Sequence, residues 1–123
     1  MKTIDISRDF SKVPAGRFIT DGDFSGEIFR DKLLVPALHE YDKVQIILDN
    51  TAGYGSSFLE EAFGGLIRYC GFTKSYLDDH LSLIATSTRA KRYPPRISSY
   101  INDAVVSPDK SHGYRRHISG KKS

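Results

Sequence analysis

Hydrophobic and polar positions first alternate along this chain, then recur every three or four residues, and the change of period marks where strands give way to helices. Ile4 and Ile6 flank Asp5 and precede Ser7, the two-residue period of a strand with one buried face. Pro14, Ala15 and Gly16 supply a turn, after which residues 17–20 read as a second short strand. The period then lengthens. Phe24, Ile28, Val35 and Leu38 recur at roughly helical spacing, with Arg30, Asp31 and Lys32 between them and outward. Ser25 can cap this helix, because its hydroxyl can accept a free amide of the first turn while Glu27 lies near the positive end of the dipole. The spacing predicts a helix over 25–40, kinked or split near Pro36, which has no N–H to give to the helix.

Residues 43–49, KVQIILD, form the clearest buried strand, and their continuous apolarity predicts cover on both faces. A loop over 50–55 leads to the most strongly patterned helix. Phe58, Leu59, Ala62, Phe63, Leu66, Ile67 and Cys70 share one face, and Glu60, Glu61, Arg68 and Tyr69 take the other. Residues 81–86 read as another buried strand. A basic loop ending in Pro94-Pro95 then precedes a last helix over 96–106, with Ile97, Tyr100, Ile101 and Ala104 on one side. Strands alternating with helices imply crossover connections, and so a small α/β fold: a mixed, mostly parallel sheet with helices packed against it.

With 123 residues, 39% of them apolar, the chain can bury one modest core, and we read one domain over residues 1–106. The net charge of +3 is uneven. Lys110, Arg115, Arg116, Lys121 and Lys122 stand against Asp109 in residues 107–123, leaving the rest close to neutral. That basic segment holds little that could be buried and reads as a disordered tail. The lone Cys70 excludes an internal disulfide and a Cys-rich zinc site, which suits a reducing compartment. The first ten residues lack the apolar core of a signal peptide, and the apolar runs are too short to cross a membrane. A cytoplasmic protein with no membrane partner is expected.

Residues 49–65, DNTAGYGSSFLEEAFGG, concentrate the candidate chemistry. They place a serine pair where a central strand has ended and a helix begins, the usual functional edge of an open α/β sheet. Ser57 with Glu60 fits a capping box. Gly64 and Gly65 inside an apolar helix cost about 1 kcal/mol each relative to alanine, so close packing must need their missing side chains.

The strand ending in Asp49, the loop, and Ser56-Ser57 opening a helix with small residues inside it resemble the STAS domain of anti-sigma factor antagonists, where the pattern is a strand, Asp-Ser-Ser-Gly-Leu and a helix. Gly22-Asp23 before the first long helix is similar to a turn of the same fold. Gly16-Arg17, Ser25-Gly26-Glu27 with Phe29-Arg30, Pro36 and the run from Ser56 to Gly64 look like a bacterial and phage STAS-like family. The resemblance implies a non-catalytic interaction module of bacterial signalling, without cofactor. Its partner would be a histidine-kinase-like ATPase, with Ser56 or Ser57 the phosphorylation site. The implied partner-binding set is Asp23, Tyr54, Ser56, Ser57, Glu60 and Glu61. Gly55 stands where the family has an acidic residue before the pair, and Phe58 where it has glycine after it.

Other constellations are thinner. His39, His80, His112 and His117 are scattered; His39 with Asp42 has no spacing of a metal site or triad. Cys70 reads as a small buried residue. Asp49 alone would be the acid of a hydrolase or magnesium site. Arg89, Lys91, Arg92 and Arg96 around Tyr93, with Arg115 and Arg116 in the tail, give the alternative reading of a nucleic-acid-associated regulator.

Overall fold

A computed structural model describes residues 1–108. Three strands, β1 (Lys2–Asp5), β2 (Val44–Ile47) and β3 (Leu81–Ile84), form a parallel sheet in the order β1-β2-β3. Ile4, Ile46 and Leu83 are in register across it. The α/β class read from the pattern stands. The strand expected over 17–20 does not form. The carboxylate of Asp21 accepts the amides of Arg17 and Phe18 at 3.0 and 2.8 Å, and Glu27 accepts that of Ile19 at 2.9 Å, so side chains meet the backbone needs that a ladder would have met. These residues lead into a short 3-10 turn, Ile19–Asp21.

Ile6 leaves the first strand one residue early and opens α1 (Ile6–Asp9), where the Asp9 carboxylate accepts the Asp5 amide at 2.8 Å. Cover on both faces of β2 is also corrected. Val44 and Ile46 are buried, whereas Gln45 and Ile47 are only half-buried, because the helices pack on one side of the sheet. On the edge strand β3, Leu81, Leu83 and Ile84 are half-buried rather than fully covered.

The expected helix over 25–40 is a continuous helical stretch: α2 (Gly26–Phe29), a wide π turn (Arg30–Leu34) and α3 (Val35–Glu40). Ser25 caps it, accepting the Ile28 amide at 3.3 Å. The irregularity lies one turn before Pro36. The Val35 amide reaches back to the Arg30 carbonyl, and the widened turn makes room for a residue that cannot donate. The second long helix repeats the arrangement as α4 (Ser56–Leu59), a π turn (Glu60–Gly64) and α5 (Gly65–Arg68). The hydrophobic pattern does not predict helix α6 (Lys74–His80), which Thr73 caps by accepting the Tyr76 amide at 3.0 Å. Helix α7 (Tyr93–Asp103) starts before the expected 96 because Pro94 and Pro95 fall in its first turn, where amides need no helical partner.

The two π turns meet around a buried charge. Arg30, read from the pattern as outward, has a fully buried side chain, and Glu61 on the facing helix is 1% exposed. Arg30 Nη1 donates to Glu61 Oε2 at 2.7 Å and to the Glu61 carbonyl at 2.9 Å, while its Nε donates to Asp31 Oδ1 at 3.1 Å. Gly65 answers the expectation about missing side chains: a Cβ there would strike the Arg30 guanidinium, and one at Gly26 would strike the Phe58 carbonyl. Outside this pair, Arg17 Nη1 reaches Glu60 Oε1 at 2.5 Å and Glu61 Oε1 at 3.3 Å, and Arg68 holds Glu60 at 2.8 Å. Phe29 packs near Phe58 and Phe63, with ring centroids 6.0 and 6.3 Å apart.

Removing one partner of such a pair strands the other charge in the core. Glu61→Ala should therefore lose about 3–5 kcal/mol in urea unfolding, and Arg30→Met combined with Glu61→Leu should lose much less. A loss below about 1 kcal/mol for Glu61→Ala would contradict the assignment.

Asp31 gives a pH signature. Burial pushes its carboxyl up to about 6 against the pull of Arg30, with Glu27 and Glu61 pushing the same way as burial. Between the unfolded value near 4 and 6, the folded state holds more protons than the unfolded one. Stability from this group is thus present at low pH and lost as pH rises through that window. Asp31→Asn, which cannot ionise, should gain on the natural chain by on the order of 1–3 kcal/mol between pH 4 and 7. Paired thermal melts across that range check it; a pH-independent difference is the contrary result.

Candidate functional site

The carboxyl ends of β2 and β3 are joined by one carboxylate. Asp49, 6% exposed, accepts the amides of Thr86 and Ser87 at 3.0 and 2.9 Å and the Thr86 hydroxyl at 3.1 Å. Burial pushes its carboxyl up, but the amides of Ser87 and Thr86 outweigh burial and hold it below the usual carboxylate range. Its oxygens thus tie two loops together, which is a structural task.

The loop from Asn50 to Gly55 is anchored by Tyr54. Its hydroxyl donates to the Leu48 carbonyl at 3.0 Å, its amide donates to Tyr93 Oη at 3.3 Å, and its ring meets that of Tyr93 edge-on at 4.9 Å. Burial pushes its hydroxyl up to about 12. Tyr54 is 7% exposed, so it shapes the loop and offers no contact area to a partner, contrary to the expectation.

Gly55 occupies the N-cap of α4, which puts Ser56 and Ser57 in its first turn, both exposed. The capping box of Ser57 and Glu60 does not form, because Gly55 is the N-cap, which puts Ser57 inside the helix, and Glu60 pairs with Arg17 and Arg68. Burial acts to raise Glu60, but those two arginines hold its carboxyl below the ordinary value. Glu61, named with the partner-binding set, is instead spent on Arg30 inside the core. Phe58 is fully buried. Of the expected set, Ser56, Ser57 and Asp23 stand exposed, Glu60 is half-buried in an ion network, and Tyr54 and Glu61 are interior.

The segment before α2 adds residues outside the expected set. Its Val13, Phe18, Ile19 and Phe24 are 61%, 43%, 56% and 43% exposed. The segment is fastened to the serine edge at several points. The Ala52 amide donates to the Lys12 carbonyl, Arg17 clasps Glu60, and the Phe24 ring lies 5.5 Å from Phe10, which in turn lies 6.3 Å from Phe58. The available signal was apolar residues in a stretch of Gly, Pro and Asp with no complementary strand.

Arg89, Lys91, Arg92 and Arg96 are exposed at the start of the last helical segment, and none forms an ion pair with a described residue. Arg89 Nη2 donates to the Ala52 carbonyl at 2.7 Å. Arg115, Arg116 and the expected tail from residue 109 on lie outside the described residues, whereas Ser107, its first residue, is half-buried and donates its amide to the Arg68 carbonyl at 2.9 Å. Among the described residues, no group of three or more His, Cys, Asp or Glu is placed to hold a metal, and no helix is long and apolar enough to cross a membrane. His80 Nδ1 lies 3.4 Å from Asp42 Oδ1, and the His39 ring lies 5.4 Å from that of Phe72.

Searches of curated proteins and of solved structures returned no significant match. A family model described as a STAS-like domain of unknown function (DUF4325) matches residues 25–89, just over half of the chain. The matched span runs from the Ser25 cap through Arg30, Asp49, the serine pair and Gly65 to Arg89, so it contains both helices of the buried pair and the loop between sheet and serines. The chain belongs to this family of STAS-like domains.

Proposed function

We propose that this domain is a non-catalytic interaction module of bacterial signalling that docks a protein partner on the serine edge and is released by phosphorylation of Ser56. The partner class is a histidine-kinase-like ATPase, as the likeness to anti-sigma factor antagonists implies. The observation that carries the reading is the exposure of Ser56 and Ser57 beside a segment bearing four exposed large apolar side chains, Val13, Phe18, Ile19 and Phe24. An apolar patch next to a small hydroxyl suits close docking, and a phosphate there adds nearly two negative charges that would have to be desolvated in the interface. Asp23 borders the same patch, next to Phe24, and contributes polar rim.

The switch would act on docking and leave the fold intact. Ser56 lies in the first helical turn, where added negative charge is favoured by the helix dipole by about 0.3–1 kcal/mol. Ser56→Glu should therefore melt at or slightly above the natural chain while binding the ATPase about tenfold or more weakly. Ile19→Asp should weaken binding similarly without touching the helix. A Ser56→Glu chain that binds normally, or that unfolds, would contradict the reading.

Incubation with the ATPase and ATP should add one phosphate, and Ser56→Ala should abolish the addition. Tandem mass spectrometry reads the site. Labelling that survives Ser56→Ala and moves with neither serine would sink the proposal.

A further inference from the structure

A cavity of about 220 Å³ opens at the same end of the sheet, between the loop after β2 and the loop after β3. Leu48 and Tyr93 give it an apolar side; Asn50, Thr51, Ser87 and Arg89 give it a polar one. Gly53 keeps it open. A Cβ there would stand 3.1 Å from Tyr93 Oη and 3.9 Å from Arg89 Nη2, and the backbone φ of +123° disfavours any other residue.

The electrostatics favour an anion. Residues 86–96 contain Arg89, Lys91, Arg92 and Arg96 and no acid. All four cations are exposed and lack an ion pair with a described residue. Asp49, the carboxylate at this end of the sheet, is committed to the amides of Thr86 and Ser87 and does not line the cavity. Arg89 is also held in place, since its bond to the Ala52 carbonyl engages one of the five N–H donors a guanidinium carries. A fixed guanidinium beside hydroxyl and amide side chains suits a phosphate, which accepts two parallel N–H bonds.

We infer that this cavity is a binding site for a small phosphorylated molecule, with the phosphate on Arg89, Thr51 and Ser87 and a sugar-sized body against Leu48 and Tyr93. The volume fits such a molecule and falls below the usual range for larger ligands. Neither Ser56 nor Ser57 nor any of the exposed apolar side chains before α2 lines the cavity, so its test does not depend on the docking reading.

Ribose 5-phosphate, ribose and a short single-stranded oligonucleotide are the probes, titrated into the full chain at low salt and followed by amide NMR shifts. Ribose 5-phosphate should give saturable shifts at Asn50, Thr51 and Ser87, with ribose at least about tenfold weaker. Arg89→Ala should weaken the ester about tenfold or more, and Arg89→Gln, which keeps a donor for the Ala52 carbonyl, should weaken it similarly. Arg96→Ala, outside the cavity, should change it by less than about twofold. Absence of saturation overturns the site. So does equal weakening by Arg89→Ala and Arg96→Ala, which would mean diffuse attraction to the basic patch. Shifts produced by the oligonucleotide but not by the ester would assign the patch to nucleic acid instead.

Discussion

A guanidinium enclosed between two helices must be met by a carboxylate, and much of this domain is arranged so that Arg30 meets Glu61. Desolvating both groups is costly, and their attraction offsets that only with good geometry and further hydrogen bonds. The chain supplies both. The Glu61 carbonyl accepts a second bond from Arg30, Asp31 takes its Nε, and Gly65 leaves the space the guanidinium fills. Each helix carries a π turn at the point of contact, and the wider turns bring the two ion-pair partners face to face. One consequence is the depressed acidity of Asp31, which shares the buried site with Arg30 and Glu61 but is too enclosed to ionise readily at mildly acid pH.

This arrangement determines which groups remain at the surface. Glu61 is used inside, and Glu60 is used to fasten Arg17 and Arg68, so the exposed polar groups of the first turn of α4 are its two serines. Arg17 in turn draws the segment before α2 against the same helix, and its apolar side chains are left standing beside the serines. The core and the candidate interface are therefore two results of one charge network. At the other end of the loop, Asp49 and Tyr54 fix the path from the sheet to Ser56, and that path borders the cavity at Arg89.

Elements governed by local periodicity were legible in the sequence. The apolar run at Val44–Ile47, the Ser25 cap, and the stripe from Phe58 to Ile67 are all local patterns, and each appears where its pattern put it. The failures are long-range. Arg30 and Glu61 are charged, so a helical pattern assigns them outward, and their burial is decided by a partner on another helix. Only Gly65, whose missing side chain leaves room for the Arg30 guanidinium, hinted at it. Phe18 and Ile19 resemble a strand by composition, yet Asp21 and Glu27 take their backbone amides in a turn. Tyr54 sits in a polar loop and was read as surface, whereas its hydroxyl has a buried carbonyl to satisfy. The serine pair was legible as a site because a helix start after a central strand is a topological position as much as a composition.

If the Arg30–Glu61 pair joins the two long helices into one cooperative unit, they must open together. Native-state amide hydrogen exchange measures this directly on the natural chain, across a series of low urea concentrations. The amides of residues 33–35, 37, 38 and 62–67 are expected to share one opening free energy and one urea dependence, equal to those of global unfolding. Exchange in which one helix opens at a distinctly lower free energy while the other stays protected would contradict the account.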